Sequence, residues 1–327
     1  MPLKLTTYYR GSRIPELPGT NTFHSTELFR VYEATPGYEP ILVVASEDGR
    51  PLAKLLGTVR KAVRLFPPGL IKRCEIYDTG EYFDEAADKE SIFAEMLHRL
   101  TSVALRHAFL IEVRNLENPM FGYKVFRANR YFPINWLRVR NSLHSLTRVE
   151  ERYSPSRVRH VRKGLKNGAV VREARSVQEI QEFARMLHRI YSSKIRRHFP
   201  SRDFFTHLEQ QMLQGKNSKT FIVLCKERII GGCVCIYSGE TVYLWFSGGM
   251  RKRHPHLYPG VLPVWKAMED AKERGFHHFE FMDVGLPFRQ HGYRDFVLRF
   301  GGKEFGTRRW FRFRWNWLNG LLSRFYK

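Results

Sequence analysis

Carboxylates are scarce in this chain. Its 327 residues carry 55 Lys and Arg against 32 Asp and Glu, a formal net charge of +23. Such a field draws polyanions and anionic surfaces, among them RNA, phospholipid headgroups and diphosphate-bearing substrates, without choosing between them. Cysteine is also scarce, at four residues. Cys225, Cys233 and Cys235 sit in apolar β-like runs and Cys74 in a similar one, with none of the spaced Cys/His companions a zinc site requires. They are expected to pack inside a protein of the reducing cytoplasm. No Rossmann glycine fingerprint and no ligand cluster occurs, so neither a nicotinamide or flavin cofactor nor a metal is expected. No segment holds the roughly 20 apolar residues that span a bilayer. The opening MPLKLTTYYRGSRIPELPG lacks an apolar signal core, so secretion is not expected.

What is present suffices for packed cores: 43% hydrophobic residues, 14% of the total aromatic. The length gives room for two ordinary domains. The second half is the more legible. SPSRVRHVRKGLK, residues 154–166, reads as a short basic helix with Ser154 as cap and Pro155 in its first position. Val158, Val161 and Leu165 share one face of it, and the basic residues lie elsewhere. The strand AVVREA follows. Ser176 and Glu179 then form a capping box for a helix through Ile180, Phe183, Leu187 and Ile190. A second helix begins near Ser201. Three strands, TFIVLCKE, IIGGCVCIYSG and TVYLWFSGGM, are separated by hairpin-length turns and should be antiparallel. A helix from about Pro259 to Arg274 ends at Gly275. HFEFMDV is the next strand, followed by the loop QHGYRDFVLRFGG and a last alternating strand around FRFRWNW.

The first half repeats this order. EPILVVASEDGRPLAKLLGTV is a hairpin about a Glu-Asp-Gly turn. The strand KRCEIYDTG follows, then a helix with Phe93, Met96, Leu97, Leu100 and Ala104 on one side, then the strand AFLIEVRN. Hairpin, strand, helix, strand occurs twice, the mark of a duplication. Domains are expected at 1–148, the diverged copy, and at 149–327, with the donor cleft.

RVRHVRKGLKNG, YLWFSGG, YPGVLPVWKAMEDAKERGFHHFEFMDVG and the loop closing on RFGGKEFG resemble the GNAT acyltransferase superfamily, and the paired layout resembles the Fem-type peptidyltransferases within it. The resemblance implies an α/β protein of two tandem GNAT-like domains, each a mixed, mostly antiparallel sheet flanked by helices. Two departures stand out. The paired glycines of the CoA phosphate loop are replaced by RKRHPHLYPG, which has one glycine. The lysine that Fem-type enzymes often carry three residues before a Phe-Gly pair is Val297 here.

The resemblance implies a cleft where YLWFSGG and HFEFMDV splay apart. Phe246, Ser247 and Gly248 would offer backbone contacts to the donor, with Tyr258 beside them, and Gly248 and Gly249 would give room for its close approach. Asp283, at the end of the second strand, would orient the amine or take its proton; otherwise it caps the Gly285 turn. His291, Tyr293 and Arg299 lie in the loop over the cleft. His291 titrates in the range a proton acceptor needs, and Arg299 suits a phosphate or an oxyanion; the plain alternatives are surface residues. Tyr77 and Asp78 fall in a region that binds acceptor in Fem-type enzymes, and Arg159, Arg162 and Lys163 of the basic helix suit a diphosphate or form a solvated face.

The expected activity is transfer of an aminoacyl group from charged tRNA, or of an acyl group from a thioester, to an amine of a peptidoglycan or lipid-linked envelope precursor. No tightly bound cofactor is implied; the donor is aminoacyl-tRNA or acyl-CoA. A CoA-dependent N-acyltransferase of a small amine, sugar or lipid is the alternative. A non-catalytic nucleic-acid-binding protein is the third reading, although no helix-turn-helix, zinc-finger or RNA-recognition signature occurs. The ending LNGLLSRFYK, apolar and basic, suits an anionic membrane surface, which would place a cytoplasmic enzyme at the inner face of the membrane.

Overall fold

A computed structural model describes residues 3–61, 71–145, 147–191, 199–212, 217–290 and 292–325. The chain forms two compact units, one of residues 1–136 and 306–327, the other of residues 137–305.

The first unit begins with β1 (Lys4–Tyr8), α1 (Thr26–Ala34) and the hairpin of β2 (Tyr38–Glu47) and β3 (Arg50–Lys61). Asp48 and Gly49 turn that hairpin with φ of +48° and +81°, the left-handed pair that matches strand twist. Next come β4 (Lys72–Tyr77), the two-residue β5 (Glu81–Tyr82), α2 (Lys89–His107), β6 (Leu110–Arg114), α3 (Tyr123–Ala128) and β7 (Phe132–Ser142), whose residues from Leu137 belong to the second unit. The Asp88 carboxylate caps α2 by accepting from the Ser91 N–H at 3.2 Å. As the helical spacing predicts, Phe93, Met96, Leu97, Leu100 and Ala104 pack together on the sheet, against Cys74, Ile76, Ile111 and Val113. β4 and β6 are parallel, with Arg73 opposite Leu110 and Tyr77 opposite Arg114; α2 makes the crossover a parallel pair requires.

The second unit opens with α4 (Pro155–Lys166), β8 (Val170–Glu173), α5 (Val177–Ile190) and α6 (Arg202–Met212). Ser176 caps α5 by accepting from the Glu179 N–H at 3.2 Å. Glu179 does not close the box on Ser176; it accepts instead from the Arg175 N–H at 2.7 Å and pairs with Arg172. β9 (Ser218–Cys225), β10 (Arg228–Ser238) and β11 (Thr241–Gly249) form the antiparallel meander that the short turns predict. α7 (Leu262–Glu273) then crosses to β12 (His278–Phe281), parallel to β11, and α8 (Gly292–Leu298) follows. On its other edge β12 is antiparallel to the later residues of β7, from His278 opposite Ser142 to Phe281 opposite Val139. Hairpin, strand, helix, strand is thus present in both units.

The last strand, β13 (Lys303–Phe313), and the helix α9 (Asn316–Phe325) end the chain. From Gly306 onward these residues pack with the first unit. Arg309 to Phe313 pair antiparallel with Arg114 to Leu110 of β6. Trp310 is fully buried in that unit's core, stacked on Phe126 at 4.5 Å. Glu112 accepts from Arg309 at 2.9 Å and from Arg114 at 2.9 Å. Burial alone would raise its carboxyl, yet Arg114, Arg309 and Arg73 hold it below the usual carboxylate range. The strand expected through FRFRWNW stops at Phe313. Asn319 is the cause: its side-chain oxygen accepts from the Phe313 N–H at 3.0 Å, and its amide donates to the Arg130 carbonyl at 2.7 Å. No described helix is long and apolar enough to cross a membrane.

Candidate active site

β11 and β12 pair for only four residues, Thr241 opposite His278 to Leu244 opposite Phe281. The split has a local cause. Val234 pairs with Phe246 while Cys235 pairs with Leu244, so Trp245 is an extra residue in β11. A bulge of this kind bends its strand and increases twist. Beyond it, Phe246 to Gly249 stay paired with β10, and the chain after Phe281 turns to β7, where Leu137 donates to the Gly285 carbonyl at 3.0 Å. The far edge of β11 past Leu244 therefore lacks a β12 partner. Arg294 holds the departing segment by donating to the carbonyls of Val284 at 3.2 Å, Pro287 at 3.4 Å and Leu286.

Two phenols meet on Ser247. The Tyr191 hydroxyl donates to its carbonyl oxygen, and the Tyr293 phenol lies near enough to Ser247 and Asp283 for both to act on its titration. Burial pushes Tyr293 well above the ordinary range, reinforced by Tyr191 and by the charge of Asp283; burial lifts Tyr191 to about 12. Both remain protonated at neutral pH. The sequence candidates Ser247, Asp283 and Tyr293 thus belong to one locality. Tyr191, which the sequence reading missed, joins them from the end of α5. Gly248 makes room on the α5 side of β11. A Cβ there would meet Leu187 at 2.6 Å and Ile190 at 2.7 Å, so the missing side chain admits α5. The Phe246 ring packs on Phe199 at 5.2 Å and Phe205 at 5.2 Å.

A second group gathers where α4 runs along the loop before α7. The His160 ring stacks on Tyr258 at 4.3 Å and 16°. Asn167 donates to the His256 carbonyl at 2.9 Å. Gly164 provides the room, since a Cβ on it would stand 3.0 Å from the Leu257 carbonyl oxygen. Tyr258 has φ of +48°, an uncommon conformation for a side chain of its size. His160 titrates below its usual range through burial and then the charges of Arg157, Arg299, Arg159 and Arg251. Arg299 and Arg159 were sequence candidates; Arg157, His160 and Arg251 were not.

Arg157 corrects the reading of α4 as apolar on one face and basic elsewhere. It is 2% exposed, whereas Leu165 is 39% exposed. The guanidinium lies over Phe296 at 4.4 Å and Phe300 at 4.2 Å and donates to the Phe296 carbonyl at 2.6 Å. Its Nε has no hydrogen-bond partner among the described residues. Burial, with Arg299 nearby, brings Arg157 down to about 10. Arg162 and Lys163 lie exposed on α4. His291 lies outside the described residues.

Tyr77 and Asp78 belong to the first unit. Tyr77 ends β4, stacked on Phe23 at 5.2 Å with the Arg114 guanidinium 5.2 Å above its ring. Asp78 is buried with φ of +64°; its carboxylate accepts from the Leu116 N–H at 3.2 Å, and its own N–H donates to the Arg114 carbonyl at 2.7 Å.

Comparison with known proteins gives these arrangements a class. Residues 156–290 match the family described as Acetyltransferase (GNAT) domain. No curated protein sequence matches the chain. Among solved structures it is similar to that of FemX, at 12% identity over 94% of this chain and 95% of that one, with a TM-score of 0.62. A tandem GNAT protein from the clavulanic acid biosynthesis pathway is similar at 10% identity over 96% and 99%, TM-score 0.58. L-PGS from Bacillus licheniformis is similar at 11% identity over 95% and 99%, TM-score 0.58. The matched residues lie within the second unit, and the chain as a whole has a GNAT fold. Its fold is the tandem one of the FemX and clavulanic acid pathway structures.

Proposed function

We propose that the chain transfers an acyl or aminoacyl group from a phosphate-bearing donor to an amine of an envelope precursor. The observation that carries this reading is the opening past Leu244, with protonated Tyr191 and Tyr293 on Ser247 and Asp283 close to Tyr293. The donor's acyl carbonyl would lie along the stretch of β11 that β12 leaves past Leu244, where main-chain groups are fixed in place before reaction. The amine attacks the acyl carbon; a C–N bond forms and the C–S or C–O bond to the carrier breaks. Asp283 orients the amine and takes its proton. Tyr293, held protonated by burial, gives its proton to the departing thiolate or alkoxide.

The anionic carrier would rest on the arginines around His160. Val261 and Leu262 both donate their N–H groups to the Tyr258 carbonyl, at 2.8 and 3.2 Å, and Pro263 has none. The start of α7 is thereby short of the free N–H groups that grip a diphosphate, which favours side-chain recognition by Arg251 and Arg299. This supports aminoacyl-tRNA ahead of acyl-CoA. The similarity to FemX and L-PGS supports an envelope acceptor. A CoA donor is the second reading, in keeping with the likeness to a tandem GNAT protein whose structure was solved without AcCoA.

The test is transfer of radiolabel to an envelope-precursor extract from aminoacyl-tRNA or from acyl-CoA. Binding alone would mislead for so basic a protein. Tyr293→Phe should lower kcat on the active donor by about 100-fold, at the low end for a proton donor. Arg251→Gln with Arg299→Gln should raise the donor KM and leave kcat within a few-fold. Wild-type turnover in Tyr293→Phe would remove it from the reaction, and label moving only from CoA would establish the second reading.

A further inference from the structure

The chain's last helix is amphipathic in an inverted sense. Trp317, Leu321 and Phe325 are spaced by four residues along α9 and are 67%, 46% and 74% exposed, while its buried residue is the polar Asn319. Trp315 is 52% exposed and stacks on Trp317 at 6.1 Å. A helix packed for its own unit's stability would turn that stripe inward. Here two Asn319 hydrogen bonds and the Arg312 donation to Asn316 at 2.7 Å fix the opposite orientation. The outward face is thus firmly presented, and four large apolar side chains stand together in solvent.

The charges around it have one sign. No carboxylate occurs from residue 305 to residue 327. Arg314 and Arg324 are exposed on the same segment, as is Arg130, whose carbonyl anchors Asn319. Beside α9 a hollow is lined by Arg127, Asn135, Arg308 and Ser323 together with three apolar or aromatic residues, again without a carboxylate. Tryptophan and phenylalanine with flanking arginines suit the boundary between acyl chains and headgroups, where apolar bodies enter and guanidinium groups stay with phosphates.

We propose that α9, with Trp315, docks the protein on an anionic phospholipid surface, and that the hollow beside it accepts a lipid headgroup phosphate. The proposal does not rest on the acyl-transfer reading; an inactive protein would still dock. The described face belongs to the first unit alone, and Tyr326 and Lys327 lie outside the described residues.

Vesicles of phosphatidylcholine, with or without phosphatidylglycerol, provide the test on the full chain, at a salt concentration that suppresses attraction from net charge alone. Wild-type protein should float with the phosphatidylglycerol vesicles, and lipid brominated near the headgroup end of its acyl chains should quench its tryptophan fluorescence. Trp317→Ser with Leu321→Ser and Phe325→Ser should weaken binding at least tenfold and largely abolish quenching, with the circular dichroism spectrum unchanged because all three side chains are exposed. Arg127→Gln should reduce the phosphatidylglycerol dependence and spare residual binding to phosphatidylcholine. Flotation without quenching, or equal binding by the triple variant, would mean general charge attraction and overturn the proposal. A dimer of the wild type that the triple variant loses would assign the face to a second copy of the chain, and would overturn it also.

Discussion

At the scale of single residues, the second unit contains a carboxylate that opposes folding. Glu209 is buried on α6, and among the described residues it accepts only a long hydrogen bond, from the Thr220 hydroxyl at 3.5 Å. Burial and the neighbouring charge of Glu173 push it up to about 7. A carboxyl raised in the folded state binds its proton more tightly there than in the unfolded chain. Stability is therefore untouched well below pH 4.5, falls as pH rises through the interval to about 7, and stays reduced above it. The cost at pH 8 is about 3 kcal/mol at most. Glu209→Gln keeps the shape and an acceptor and removes the ionisation. It should melt higher than wild type at pH 8 and lose that advantage at pH 5, as differential scanning calorimetry would read. An unchanged difference between the two pH values would mean that Glu209 ionises normally. Nothing in the sequence marked this glutamate as buried, because its raised pKa comes from packing with β9 and β8. Arg157 was hidden for the same reason. A basic helix in sequence reads as a wetted face, and only Phe296 and Phe300, some 140 positions along the chain, make burial of a guanidinium tolerable. Ser247, Asp283 and Tyr293 were named because the resemblance points to two strand ends and the loop after them, whereas Tyr191 sits past the end of a helix on which the resemblance is silent.

At the scale of elements, β10, β11 and the loop before α7 are locked by glycines. A Cβ on Gly249 would stand 2.5 Å from the Gly260 nitrogen and 2.6 Å from the Pro259 carbonyl carbon. Those are backbone atoms, so a side chain there must displace the loop itself and with it Tyr258, which stacks on His160. Gly249→Ala should cost about 1–3 kcal/mol, the range for overpacking, and should raise the donor KM more than it lowers kcat. Gly248→Ala meets the ends of Leu187 and Ile190 instead, so it should disturb α5 and Tyr191 and fall chiefly on kcat. Equal kinetic effects from the two substitutions would contradict this separation. The hairpins, the helices α2, α4, α5, α6 and α7 and their order were readable, since each is set by local spacing and turn chemistry, whereas α1, α3 and α9 were not. The bulge at Trp245 was not, because an extra residue shows only against its partner strand; the family resemblance supplied the splay that periodicity alone could not.

At the scale of the molecule, the first unit is discontinuous in sequence, and its stability must depend on the far end of the chain. Alternation marks a last strand around residues 311–317, overlapping β13 only at Phe311 to Phe313, and carries no information about its partner, which is why β6 could not be read as its neighbour. Two interactions specify that pairing. Trp310 fills core space against Phe126, and Arg309 answers the buried Glu112. Losing a buried tryptophan alone costs about 3–5 kcal/mol, and stranding a buried carboxylate adds a penalty of similar size. Together these approach the whole stability of an ordinary domain, about 5–15 kcal/mol. A chain ending at Phe305 should consequently lose the near-ultraviolet circular dichroism of the first unit's aromatic core and expose apolar surface to a dye such as ANS. A peptide of residues 303–325 added in trans should restore that signal, and a peptide carrying Arg309→Met should restore it less well. A truncated chain with native dichroism and an unchanged melting profile would show that residues 1–136 hold their fold without β13, and the pairing of Arg309 with Glu112 would then be a consequence of folding and not one of its causes.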